Sequence, residues 1–403
     1  MIRHPRGNRR LIRAINRSAV LNTIKTQGPI SRTRVAKLTG LSGATVSGIS
    51  ADLIASDLIF EKEEGDSSGG RRPILLALNP RGGFVIGLKL AEKHITGAIT
   101  DLESTVIAKD SYPLDTHSIT DVLNLADEAV QDLLASSGTS KEMLLGVGIG
   151  LAGIVDGGSG ILRNSPFFGW RDVPLRTALQ KQLDVPVFVD NDVNTLTLTE
   201  LWFGAGQGVE NFLTVTVGRG IGLGLVINGQ LYHGAQGGAG EFGHTVVDPD
   251  GQRCECGKRG CLETMIADPW LMRLATEARA RGEIEVDVND IETLIQLAQS
   301  GDSASVRIFA DAGDALAQAL ANLINVLSPQ LIIISGEGVR AGDLLFEPMY
   351  DSIEKYIMPG LVEDTEIRVD PWDDDAWARG AAGLVLRELF ESPIHREVDV
   401  LAV

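Results

Sequence analysis

The sequence predicts a mixed α/β protein with a small helical head and a larger body in which strands and helices alternate. Three observations carry that expectation. Apolar residues recur at helical spacing three times before residue 55 and then give way to two short strand patterns ending at Leu78. Beyond residue 83 the pattern changes to β-rich runs separated by longer amphipathic stretches. Charge divides at the same place: residues 1–82 hold 14 Lys and Arg against 6 Asp and Glu, a balance of +8, while the remainder carries −26 of a net −18.

Leu11, Ile15, Val20, Leu21 and Ile24 line one face of a helix over Arg9–Gln27, stopped by Gly28 and Pro29. Ser31 caps a short helix through TRVAKLTG, closed by Gly40, and Ser42 caps a third whose Val46, Ile49 and Leu53 share a face. Three short helices with a glycine turn before the third form a helix-turn-helix. Leu58–Lys62 and Ile74–Leu78 read as strands around a loop over Gly65–Pro73, which makes a wing. A basic head on an acidic body points to double-stranded DNA as partner, because the body would repel a polyanion that the head attracts. The third helix would lead into the major groove with Ser42, Gly43, Ala44, Thr45 and Ser47. Arg32, together with Arg71 and Arg72 in the wing tip GGRRP, supplies candidate phosphate or minor-groove contacts. The plain alternative is a small structural helical bundle.

Asn79–Gly83 is the expected linker. Phe84–Leu90, Ile95–Asp101 and Thr105–Ser111 follow as strands, then a helix near Val122–Ala135 and an apolar strand over Leu144–Leu151. Gly153–Gly160 reads as a turn, and Val187–Val189 as a short strand running into Asp190, Asn191 and Asp192 before a helix to Phe203. A second lobe opens with strands Phe212–Val217 and Gly222–Ile227. After it come helices over Pro269–Arg281, Asp290–Ala298 and Ser303–Leu327, a core strand Leu331–Ser335, a helix over Leu344–Tyr356, an acidic run Glu363–Asp375 and a last helix Ala376–Phe390.

All three cysteines, Cys254, Cys256 and Cys261, fall within eight residues, with His244 ten residues upstream of the first. Three thiolates and an imidazole complete a tetrahedral Zn²⁺ shell, and a closed shell leaves no position for water, so such a zinc is structural. The alternative is three buried thiols beside a surface loop. Three cysteines cannot all pair, and a reducing compartment would keep them as ligands. No apolar run reaches the length of a membrane span and no apolar segment with a cleavage site follows the Arg-rich start, so cytoplasm is expected and a membrane partner is not. At 403 residues the chain suggests two or three domains.

Four motifs carry a family resemblance: GEFGHT with CECGKRGCLE, VDNDVN at 189–194, GVGIGLAGIVD at 146–156, and VGRGIGLGLVINGQLYHG from 217. With the winged helix they resemble the ROK family of repressors, open reading frames and sugar kinases, over nearly the whole chain. The resemblance implies a two-lobe actin-like or ribonuclease-H-like body with a sugar between the lobes. It places sugar contacts on Asn191, Asp192, Glu241, His244 and Glu263, with His244 serving both metal and sugar. Asn191 and Asp192 also stand at a helix start, where capping is their plain role.

Departures from the pattern separate binding from catalysis. Family kinases hold ATP phosphates with a motif resembling DxGGT, and here that stretch is Lys89, Leu90, Ala91, Glu92 and Lys93. A second loop resembling GTGxG reads Gly218, Arg219, Gly220, Ile221 and Gly222, so its hydroxyl is also gone. Asp192 stands where the kinase base would be, but without a phosphoryl donor it only binds a hydroxyl. Phe167 replaces an asparagine that contacts sugar in the kinases, which leaves pentoses, glucose and N-acetylhexosamines all open.

These readings define domains at 1–82 (winged helix), 83–190 and 191–374 (the two lobes) and 375–403 (C-terminal helix and tail). They point to a sugar-responsive DNA-binding regulator, a repressor acting as a homodimer or dimer of dimers on palindromic half-sites. The competing readings are an ATP-dependent sugar kinase with a DNA-binding appendage, and an architectural DNA binder whose body only dimerises.

Overall fold

The computed structural model describes residues 9–63, 74–370 and 374–391. The head comprises α1 (Arg9–Gln27), β1 (Ile30–Ser31), α2 (Arg32–Thr39), α3 (Gly43–Ala55), β2 (Ile59–Glu63) and β3 (Ile74–Leu78). Val20, Leu21, Val35, Val46, Leu53 and Leu58 are wholly buried at its centre. Ser31 and Ser42 cap their helices by accepting from the backbone N–H of Arg34 and Thr45, and Gly40 closes α2 in the left-handed region. The wing is a three-stranded antiparallel sheet in the order β1-β3-β2, since two residues before α2 also pair with β3. Its tip, with Arg71 and Arg72, lies outside the described residues.

Asn79–Gly83 is tied down on both sides. The Asn79 backbone N–H and Nδ2 donate to the Leu58 and Asp57 carbonyls at 2.9 and 2.8 Å, and the Leu102 N–H donates to the Pro80 carbonyl at 3.0 Å. The head is therefore hydrogen-bonded into the body through this segment.

The first lobe contains β4 (Phe84–Leu90), β5 (His94–Thr100), β6 (Val106–Pro113), α4 (Ile119–Ser137), β7 (Leu144–Leu151), β8 (Ile154–Asp156), β9 (Ile161–Asn164), β10 (Arg171–Val173), α5 (Leu175–Leu183) and β11 (Val187–Asn191), followed by α6 (Asp192–Phe203). Its main sheet runs β11-β7-β4-β5-β6, antiparallel through the first three strands in sequence and parallel where β7 and β11 are added. Gly153–Gly160 is more than a turn: β8 lies within it and pairs with β9, which pairs with β10 in a separate small sheet. Strands of three or four residues joined by glycines offer too few alternations to be read from sequence.

The second lobe contains β12 (Phe212–Val217), β13 (Ile221–Ile227), β14 (Gln230–Leu231), α7 (Glu263–Ile266), α8 (Asp268–Ala280), α9 (Ile291–Gln299), α10 (Ser303–Leu327), β15 (Leu331–Ser335), α11 (Asp343–Ile353) and β16 (Glu366–Val369). Its sheet runs β14-β13-β12-β15-β16 with the same pattern of antiparallel and parallel pairs. Numbered within each lobe, both sheets have the order 3-2-1-4-5 of the ribonuclease-H-like fold. A C-terminal helix, α12 (Asp374–Phe390), completes the chain.

The molecule divides into two compact units, one running up to Thr195 and resuming at Trp377, the other spanning Leu196–Ala376. α12 thus belongs with the head and first lobe. It lies on their sheet at Gly87 and Gly148, which face each other across β4 and β7; a Cβ on either would run into the Ala378 or Ala381 carbonyl. Ala378, Ala381 and Ala382 on α12 are buried there, small residues that let helix and sheet backbones approach.

Candidate functional site

The first lobe presents its candidates at the C-terminal edge of three parallel strands, where α/β sheets gather ligands. Leu90, Leu151 and Asn191 are in register across β4, β7 and β11, and so are Lys89, Gly150 and Asp190 one residue earlier. Asn191 caps α6: its Oδ1 accepts from the N–H groups of Val193 and Asn194 at 2.8 and 3.3 Å, while Nδ2 donates to the Gly153 carbonyl at 3.0 Å. Asp192 Oδ1 accepts from Val193 N–H at 3.0 Å. Capping is thus realised by Asn191, while Asp192 is the first residue of the helix and meets its neighbour's N–H. Asp190 was not selected from sequence, yet it is wholly buried and its Oδ1 accepts from Asn191 N–H and Asn194 Nδ2 at 2.8 and 2.9 Å, fixing the turn from below.

At the tip between β4 and β5, the Lys89 ammonium lies 3.8 Å from the centroid of the Trp377 ring. The residue that stands for the phosphate-site acid is a cation parked on an aromatic face. Nothing local in the sequence signals this, because the two residues are far apart in the chain. Next to it, His117 Nε2 meets the Glu92 carbonyl at 2.7 Å, its ring packs edge-on to Phe168 and Phe168 stacks on Trp170. The half-buried Phe167 packs against the first-lobe core.

Glu241, His244 and Glu263 all lie in the second unit. The His244 Nε2 faces Glu241 Oε2 at 4.0 Å, and its Nδ1 faces Cys254 Sγ at 3.6 Å, so the two ring nitrogens point to different neighbours. Cys256 and Cys261 Sγ atoms are 3.6 Å apart, all three cysteines are free, and the four ligand atoms lie within 4.8 Å of one another. A tetrahedral site with metal–sulfur bonds of about 2.3 Å has edges of roughly 3.8 Å, so the cluster fits a metal once its longer separations close by about an ångström. Burial pushes the Cys254 thiol up to about 12 and raises that of Cys261, whereas hydrogen bonds to the Cys256 sulfur outweigh its desolvation and lower its pKa, so a cation would have to draw the first two into thiolate form. The loop that brings the ligands together has few regular elements: two isolated bridges, Val246 with Cys261 and Arg253 with Arg259, and a Lys258 ammonium donating to the His244 carbonyl at 2.6 Å. Gly260 sits at φ 63°, pressed against the Asp248 carbonyl, where no side chain has room.

Glu263 is half-buried beside this cluster, its Oε1 3.9 Å from Cys254 Sγ, and it accepts from the Ile221 backbone N–H. Burial raises its pKa, with His244 and Arg219 opposing. One carboxylate thereby joins the metal loop to the glycine-rich tip between β12 and β13.

On the head, Ser42, Gly43, Ala44 and Ser47 are exposed along the first turns of α3 and Thr45 is half-buried, its Oγ1 2.8 Å from Ser42 Oγ. Arg32 is instead paired with Glu61 on β2 at 2.6 Å, so its charge is engaged within the head. Arg34 and Lys37 on α2 are exposed cations that the sequence reading did not select.

A winged head, two lobes of repeated topology and a His/Cys₃ loop define a regulator-type member of one superfamily branch. The family model described as "ROK family" matches residues 85–388, and the chain belongs to the ROK family. It is similar to the xylose repressor of Bacillus subtilis (strain 168), 30% identical over 376 residues covering 93% of this chain and 96% of that protein. It is also similar to the DNA-binding transcriptional dual regulator NagC of Escherichia coli (strain K12), 33% identical over 386 residues and 95% of each chain. Among solved structures, a ROK family transcriptional regulator described as a homolog of the E. coli MLC protein superposes with a TM-score of 0.86 at 27% identity, covering 95% of this chain and 98% of that one. A ROK family glucokinase from Streptomyces griseus, in complex with glucose and AMPPNP, gives 0.66 at 28% identity over 75% of this chain and 99% of its own.

Proposed function

We propose that this chain is a sugar-responsive DNA-binding repressor of carbohydrate uptake or catabolism genes. The observation that carries this reading is the divergence between two parts of the body. Groups suited to sugar hydroxyls are kept, whereas the β4–β5 tip offers Lys89 stacked on Trp377 in place of an acid that could hold a metal–phosphate complex. Asn191, Asp192, Glu241, His244 and Glu263 are the proposed sugar contacts: three carboxylates and an amide that can each make two hydroxyl hydrogen bonds, and an imidazole with one ring nitrogen left for a third kind of contact. His244, Cys254, Cys256 and Cys261 would hold a structural Zn²⁺, whose role is to cross-link the loop that carries Glu241 and Glu263. Ser42, Gly43, Ala44, Thr45, Ser47 and the wing arginines Arg71 and Arg72 are the proposed DNA contacts, on a homodimer that matches a palindromic operator.

The test has two arms. Gel-shift titration on a DNA duplex selected from a random pool by the protein itself, repeated with xylose, glucose and N-acetylglucosamine, should show one sugar lowering affinity roughly 5- to 150-fold. If no sugar changes DNA binding, the sensor role fails. A coupled ADP-release assay over the same sugars should stay at background, and turnover there would restore the kinase reading.

A further inference from the structure

Two contacts lie at opposite ends of α12, and the reading above uses only the first of them. At its first turn, Trp377 lies under the Lys89 ammonium, and Lys89 is in register with Asp190, two strands or about 10 Å across the sheet from the Asn191–Asp192 turn. At its last turn, roughly 20 Å along the helix, the Phe390 ring lies 4.7 Å below the ammonium of Lys25 on α1 of the head. Between these points the helix has no slack, because Gly87 and Gly148 admit its backbone directly and Val385 packs 3.1 Å from where a Cβ on Gly146 would stand. Trp377, Leu384, Val385, Leu386, Leu389 and Phe390 are all buried.

We propose that α12 positions the DNA-binding head, with Phe390 as the positioning residue that fixes α1 to the first-lobe sheet, so that head, sheet and helix move as one body. The inference rests on the repressor reading, since a fixed head matters only if the protein binds DNA. Its physical basis is that a head held by the Asn79–Gly83 segment alone could swivel about that segment, whereas a second attachment through α1 removes the rotation. A dimer whose heads are held at fixed spacing meets a palindrome without first selecting an orientation, and the lost orientational freedom is not charged against binding. Any change at the Asn191 edge of the sheet is then carried to the head by a rigid element. Lys25 itself is partly buried, and desolvation pushes its pKa down to about 8 with Glu391 opposing, so its ammonium is held at some cost that the Glu391 charge and the Phe390 ring face both offset.

The experiment compares full-length wild type with Phe390→Ala, Phe390→Leu and Phe390→Tyr on the selected palindromic duplex and on one half of it. Tyrosine keeps the aromatic face and should bind both as wild type does. Alanine should lower affinity for the palindrome about tenfold, as when the competent arrangement is populated a tenth of the time, while half-site affinity is unchanged. Leucine keeps more of the volume, and carries the same expectation should the alanine protein fail to fold. If the alanine or leucine protein binds the palindrome as tightly as wild type, α12 does not position the head. Wild type that binds no duplex overturns the repressor reading, and this inference with it.

Discussion

The two lobes share one strand order yet hold their candidate residues by different means. In the first, Asn191 and Asp192 sit at a strand-to-helix turn whose groups are met by backbone, by Asp190 and by the Gly153 carbonyl, so ordinary secondary structure holds the edge. In the second, Glu241 and Glu263 flank a loop with two isolated bridges and no long element, where the clustered His244, Cys254, Cys256 and Cys261, once bound to the proposed metal, would supply what a sheet supplies elsewhere. The corresponding β-hairpin tips differ too. The first has lost its glycines and packs Lys89 on Trp377, while the second keeps Gly218 and Gly220 next to the carboxylates of Glu337 and Glu263. The lesson is that one topology fixes where a site lies, but how firmly its residues are held depends on local cross-links.

Removing the proposed metal should separate the two lobes most strongly. Chelation, or Cys261→Ala, should destabilise the second unit by upwards of about 4 kcal/mol and abolish sugar binding, with the first unit's calorimetric transition unmoved. Metal content measured beside the melt decides it: a metal-free protein with an unchanged melt would mean that the loop is held without the cross-link. Gly260→Ala tests the same loop from the backbone, since its φ of 63° and the adjoining Asp248 carbonyl exclude a side chain, and it should release metal at normal thiol count.

Asn191→Ala addresses the other lobe. Loss of the cap and an orphaned Gly153 carbonyl should cost about 2 kcal/mol in the first unit only. Asn191→Asp, which keeps the acceptor, should recover part of it, and chelator sensitivity should be unchanged in both. A smaller effect is expected from Gly220→Ala, whose new Cβ would stand 3.2 Å from Glu263 Oε2 and displace that carboxylate slightly. Calorimetry should show sugar affinity reduced about fivefold, roughly 1 kcal/mol, at an unaltered melting temperature.

Alkaline titration separates the two units by reagent. Lys25 has a folded pKa of about 8, below its ordinary 10.5, so between these values the unfolded chain holds the extra proton and stability rises with pH. The gain is on the order of 3 kcal/mol at most, belongs to the head-bearing unit, and is absent below pH 8. A Lys25→Met protein should show a flat profile over this window; a slope equal to wild type would assign the titration elsewhere.

Much of the site was legible because its signals are local. Cys254, Cys256, Cys261 and His244 fall within a short stretch, and the Ser42 cap and the long helix Ser303–Leu327 follow from spacing and capping chemistry. Other features depend on contacts remote in sequence. Arg32 reads as a free cation until β2 brings Glu61 against it, and Asp190 reads as part of an acidic run until burial makes it a brace. The β8–β10 sheet escaped notice because its strands are too short to show a period.

What the sequence determined by itself was the set of chemical groups: a basic winged head, a His and three cysteines able to hold a metal, carboxylates and amides suited to hydroxyls, and no acid at Lys89. Periodicity, caps and ligand spacing are properties of neighbours along the chain, so they need no fold to be read. The tertiary structure decided the attachments. It folded two stretches of sequence into separate sheets of the same strand order, and it set α12 into a groove of strand glycines with Trp377 under Lys89 and Phe390 under Lys25. Those pairings join residues hundreds of positions apart, and only the packing of helix on sheet brings them within reach.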